Sequence, residues 1–185
     1  MATLATTNIK HASSSSNNIV LNSDGTTYIP GHIIQVVSGD TSSAASTTDS
    51  TFVDTNLTAT ITPTSTSSKI YVIVNQSTTV IHTSSSHTYH GLRLIRTVGG
   101  TSTTLHEPVS NNGSGPYDIG GLSQVMARSN INILDIPNTI SAITYKTQMA
   151  QYANNVGTLT AQYSGTGGGT ATNATSYITL MEIAA

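Results

Sequence analysis

The chain has 185 residues, enough for one globular domain with a core and too few for two large ones, and only 8% of them are charged, with a formal net charge of -2. Six Lys and Arg residues are too few to form a phosphate-tracking surface, so no nucleic-acid partner is expected. The absence of cysteine excludes disulfides, thiolate metal sites and thiol nucleophiles.

Ser and Thr together make up about 31% of the residues, yet the chain does not read as disordered. Disorder couples low hydrophobicity with high net charge, whereas here hydrophobic residues reach 36% and the Val, Ile and Leu clusters recur regularly. With no Trp, one Phe (Phe52) and eight Tyr, the core must be built from β-branched aliphatic side chains. A surface so poor in charge implies cover by copies of the same chain or by neighbouring proteins.

Residues 1–30 read as an arm. Met1-Ala2-Thr3-Leu4-Ala5-Thr6 has neither a basic nor an apolar leader segment, and no later apolar run is long enough to cross a bilayer, so synthesis in the cytoplasm without membrane insertion is expected. After Ser13–Ser16 and Asn17-Asn18 the spacing predicts a small hairpin, residues 18–21 against 26–29, turning at Asp24-Gly25 and closed by Pro30-Gly31. Ile9, Ile19, Val20 and Leu21 are the candidate anchoring contacts of this arm.

From residue 31 to 185 the pattern predicts one all-β domain, a jelly-roll β-sandwich. Strands are expected over 33–37, 56–62, 70–76, 79–82, 91–98, 102–105, 124–128, 130–135, 144–150, 158–163 and 176–183, with at most one helical turn. In Leu57-Thr58-Ala59-Thr60-Ile61 the apolar residues alternate with threonines, as a strand with one buried face requires. Lys69-Ile70-Tyr71-Val72-Ile73-Val74 is apolar on both faces and reads as a strand covered on both sides, by the core and by a subunit interface. Arg93 and Arg96 alternate in part with apolar residues, which reads as a charged outward face that blunts edge pairing.

The residues that could carry chemistry are few. His82, His87 and His90, followed by His106 and Glu107, form the one grouping of metal-ligand type, but their spacing matches no closed site and the expectation is no metal. The carboxylates are scattered without a motif that pairs two of them for hydrolysis, and Ser164–Gly169 lacks the Lys and helix of a phosphate loop. No enzymatic activity and no cofactor are expected. Tyr89, Tyr117 and Tyr163 stand near loop positions in regions 83–90, 113–121 and 164–169, where a tyrosine ring can stack on a sugar.

Two sets of segments carry a resemblance. The stretch from Asn8 to Gly25 resembles the N-terminal segment of phage fibre-like proteins. Residues 57–72, Tyr145-Lys146-Thr147-Gln148 and Ser176–Glu182 are similar to the C-terminal domains of marine and cyanobacterial phage virion proteins. The resemblance implies a trimeric jelly roll, similar to tumour-necrosis-factor-like heads, whose partners are other structural proteins of tail or capsid. A short tail fibre or adhesion trimer that contacts a host surface glycan is the expected function. A capsid decoration protein is the alternative within the virion, and a lectin or polysaccharide-degrading enzyme the alternative outside it.

Overall fold

A computed structural model describes residues 6–15, 17–21, 23, 25, 27–82, 89–107, 124–152, 157–163 and 174–185. Every regular element among them is a strand: β1 (Asn8–Ile9), β2 (Ile19–Leu21), β3 (Thr27–Tyr28), β4 (Ile33–Thr41), β5 (Ala45–Thr47), β6 (Val53–Ile61), β7 (Lys69–His82), β8 (Tyr89–Val98), β9 (Thr101–His106), β10 (Gln124–Asp135), β11 (Ile143–Tyr152), β12 (Gly157–Ala161) and β13 (Ser176–Ile183). The first three make a small sheet of their own and the rest pair into two larger sheets.

The long strand β7 organises the first large sheet. Its one edge takes β10 antiparallel from Ile70 to Ile81. The other edge is shared, with β13 along Lys69–Asn75 and β12 along Thr78–His82. Outside these lie β4 against β13 and β5 against β12. The second sheet runs β6-β11-β8-β9. The orders β4-β13-β7-β10 and β6-β11-β8-β9, with β5 and β12 widening the first sheet, are the strand order of a jelly roll.

Period-two alternation decides which side chains fill the space between the sheets. Ile70, Val72 and Val74 of β7, Leu57 and Ile61 of β6, Leu92 and Leu94 of β8, Ile143 and Met149 of β11, and Ile178 and Leu180 of β13 form one buried cluster. The intervening Tyr71 and Ile73 of β7 are half-buried on the outer face, so that strand is covered fully on one side and partly on the other.

Three local features shape the sandwich. Gly99 and Gly100, both with positive φ, form the two-residue turn between β8 and β9. At Gly39 an added Cβ would lie 2.2 Å from the Thr58 carbonyl oxygen, so β4 and β6 cross here at a distance only glycine permits. Where β6 bulges between its pairs Asp54–Gln148 and Thr58–Lys146, Asn56 takes φ 66, and its amide donates to the Ser43 carbonyl at 3.3 Å.

Two sequence readings change. Ile70–Gln76 and Thr79–His82 are parts of one strand, as are 124–128 and 130–135. Arg93 and Arg96 lie on β8, an interior strand between β11 and β9, so they guard no edge. Arg93 stands 4.0 Å over the Phe52 ring and binds Gln148 and Glu107, while Arg96 reaches the buried Asp135.

Candidate functional surfaces at the two poles

The strands run between two poles about 45 Å apart, the length of the 14-residue β7 at roughly 3.3 Å per residue. At one pole, Ile33 of β4 pairs with Ile183 of β13, and just beyond them Gly31 N donates to the Ala184 carbonyl and Ala184 N to that of His32, both at 2.9 Å. Pro30 and Gly31 turn the chain here, Gly31 at φ 78 and His32 N donating to the Ile29 carbonyl. The arm therefore leaves the sandwich beside its C-terminal residues.

Of the expected recognition segments, 83–90 is flanked by strand ends at the other pole, while 113–121 and 164–169 lie outside the described residues. His82 pairs with Gly157 and Tyr89 with Tyr152, and Gln124 lies opposite Ile81. The strand ends flanking residues 83–88, 153–156 and 108–123 on its β10 side thus meet at this pole. Arm and loop-bearing strand ends occupy opposite ends of the molecule because β4 and β13 start and finish at the far end of β7.

In the arm, β2 pairs with β3 through Val20–Tyr28 and Leu21–Thr27, the expected hairpin, and β1 adds a third strand through Ile9–Ile19 and Asn8–Val20. Ile9 and Leu21 are exposed, and Ile19 and Val20 half-buried. Strands of two or three residues are marginal by themselves in water.

The histidines separate. His90 is the second residue of β8, and alternation turns it into the sandwich, where it is fully buried with Nε2 at 3.3 Å from Thr78 Oγ1 and 3.5 Å from Ser129 Oγ. Burial lowers its pKa to about 4, so the ring is neutral at pH 7. His87 and the side chain of His82 lie outside the described residues. Among the described residues no three ligating side chains converge.

Of the tyrosines, Tyr89 opens β8 at the loop pole, its side chain outside the described residues, as is all of Tyr117. Tyr163 sits within the span of β7 rather than at its end. Thr79 Oγ1 donates to its carbonyl at 2.9 Å, and it lines a cavity of about 350 Å³ with Ser77, Met126, Ala127, Arg128 and Ala174. Arg128 donates from that rim to Asn75 Oδ1.

The polar groups that sequence reasoning missed are buried ones. Asp135 accepts from Arg96 at 2.8 and 3.1 Å and from the Tyr145 hydroxyl at 2.7 Å, which ties β10 to β8 and β11. Burial and the Asp135 carboxylate together push the Tyr145 pKa above its ordinary range. Glu182 accepts from Gln35 at 2.6 Å and from Thr64 N and Oγ1 at 2.7 Å. Burial opposes its ionisation, but these donors outweigh it and hold its pKa below the ordinary value. Midway along the interior, Gln76 accepts from Thr147 at 2.8 Å and donates to Ser176 at 3.0 Å, bridging the two sheets.

No protein-family model and no curated protein matches the chain. Among solved structures, that of the infectious bursal disease virus Gt strain is similar at TM-score 0.39 and 13% identity, over 86% of this chain. The infectious bursal disease virus VP2 subviral particle is similar at TM-score 0.38 and 14% identity, also over 86% of this chain. This chain spans 40% of the length of each.

Proposed function

We propose that the chain is a structural subunit of a bacteriophage virion, a short tail fibre or fibre-associated adhesion protein that assembles as a homotrimer. One observation carries this reading: the arm and the loop-bearing strand ends leave opposite poles of the sandwich. An attachment protein needs that polarity, with one end held by the particle and the other turned to the host. In this role Ile9, Ile19, Val20 and Leu21 dock on another structural protein of the phage. The loop pole, where Tyr89 opens β8, meets a surface glycan. The role involves no catalytic step and no cofactor.

Gold-antibody labelling of purified particles under the electron microscope tests the placement. Label at the tail is the expected result, label over the whole head would make the chain a capsid decoration protein, and unlabelled particles would remove the virion role. Deleting residues 1–30 should leave a folded sandwich that no longer joins particles. A truncated chain that still incorporates would refute the anchoring role of the arm.

A further inference from the structure

The outer face of the first sheet bears an apolar stripe in register. Val36, Met181, Tyr71 and Leu134 stand side by side across β4, β13, β7 and β10, all on the face away from the core. Ile183 and Ile73 extend the stripe by one position on either side. Exposure is greatest at its two margins. On the β4–β13 side Val36 is 57% and Tyr177 51% exposed, and along β10 Met126 is 60% and Leu134 50% exposed. The middle of the stripe, Tyr71 and Ile73, is half-buried by its neighbours.

The margins also carry opposite charges at nearly the same height. Asp40 lies on β4 in the row Asp40–Tyr177–Asn75–Asn130, and Arg128 is the next outward residue of β10 after Asn130. Both are exposed. Neither β4 nor β10 has a strand on its outer edge among the described residues. Four strands by eight residues give a face of roughly 500 Å² in plan, which side-chain relief brings to the scale of the about 800 Å² per partner of a standard interface.

From this pattern we infer that the stripe is the contact between copies of the chain, with the β10 margin of one subunit seated on the β4–β13 margin of the next around an axis parallel to the strands. This rests on the trimeric assembly proposed above and assigns its surface. An axis in that direction preserves height, so Leu134 meets Val36 while Arg128 comes within one row of Asp40. Two different margins meeting head to tail make a heterologous contact, which closes into a ring. A contact of this kind removes the most exposed apolar side chains from water first.

The test uses the purified full chain in solution, so its outcome is independent of where the protein sits on a particle. Sedimentation equilibrium should give three protomers for the native chain and one for Val36→Lys and for Leu134→Lys. Both side chains are exposed on the single subunit, and a native-like circular dichroism spectrum with a cooperative unfolding transition would verify folding. Because the chain has no cysteine, a Val36→Cys, Leu134→Cys double variant treated with a short bismaleimide should run as a covalent trimer on a denaturing gel. A native chain that is monomeric, lysine variants that stay trimeric, or cross-linking that stops at two would each overturn the assignment. If a lysine variant fails to fold, the cross-linked product decides alone.

Discussion

The two ends of the sandwich interior treat buried polarity differently. Toward the arm, the buried carboxylates are fully engaged: Asp135 by Arg96 and Tyr145, Glu182 by Gln35 and Thr64. Toward the loop pole, His90 Nδ1 and both amide atoms of Gln151 are buried without a partner among the described residues. These two side chains are opposite one another on β8 and β11. The Ser68 hydroxyl beside β7 at the arm end is in the same state, so unmet buried polarity, which costs stability, is present at both ends and greater toward the loop pole. In the proposed attachment role, the difference would put rigidity at the pole that transmits load.

The largest expected effect comes from breaking the fastened end. Asp135→Ala removes the counter-charge of Arg96, which is one-fifth exposed, and the partner of the Tyr145 hydroxyl. A loss of about 3 kcal/mol by urea denaturation is expected, since an uncompensated, largely buried charge remains. Lys146→Ala, which breaks the exposed pair with Asp54, should cost less than about 1 kcal/mol, and equal losses from the two would contradict the contrast.

The loop end should respond to acid earlier. His90 packs against Thr78 and Ser129 and lies across from Gln151, none of them charged, and its pKa of about 4 is below the 6.5 of the unfolded chain. Between these values the unfolded chain binds a proton that the folded one refuses. Stability is therefore complete above pH 6.5 and falls by about 3 kcal/mol as the pH drops to 4. Urea midpoints across that range should show the decline, and His90→Leu should flatten it. An unchanged profile in the variant would place the acid sensitivity elsewhere. Glu182, with its pKa held below the ordinary carboxylate value, adds its own loss at lower pH still.

A stabilising change sharpens the comparison from the other side. Gln151→Leu replaces an unpartnered buried amide by an apolar group of similar size, and a gain of about 1 kcal/mol in the thermal or urea transition is expected. A loss of that size would mean the amide is engaged after all.

Much of the fold was legible in the sequence because alternation over five or more residues leaves little choice of face. Ser176–Ile183 has the bounds its pattern predicts, and the arm hairpin pairs as its turn residues require. The errors share one cause. Ser77 and Thr78 in β7, and Ser129 in β10, look like turn residues, yet they continue strands: Ser77 N donates to Ser176 Oγ within the first sheet, and Thr78 and Ser129 meet His90 across the buried interior. Local polarity cannot distinguish a turn from a satisfied polar core. β5 escaped notice because Ala45-Ser46-Thr47 has no large apolar residue to mark a face.

The candidate surfaces were legible only in part. The apolar residues of the arm stood out by composition, but its position opposite the loops depends on pairings such as Ile33 with Ile183, which no local pattern encodes. His90 misled for a related reason: its closeness in sequence to His82 and His87 suggested a shared loop, and the start of β8 one residue earlier turns it inward. The outer stripe was foreshadowed by Tyr71 and Ile73, while its members on β4, β10 and β13 come together only in the folded sheet.

The hydrogen bonds between Gly31, His32 and Ala184 place the two ends of the sandwich's chain side by side. The arm is accordingly transposable. Residues 6–30 spliced after Ala185 through a short linker would leave from the same pole, which makes the order of arm and sandwich along the polypeptide a matter of genetic convenience rather than of geometry.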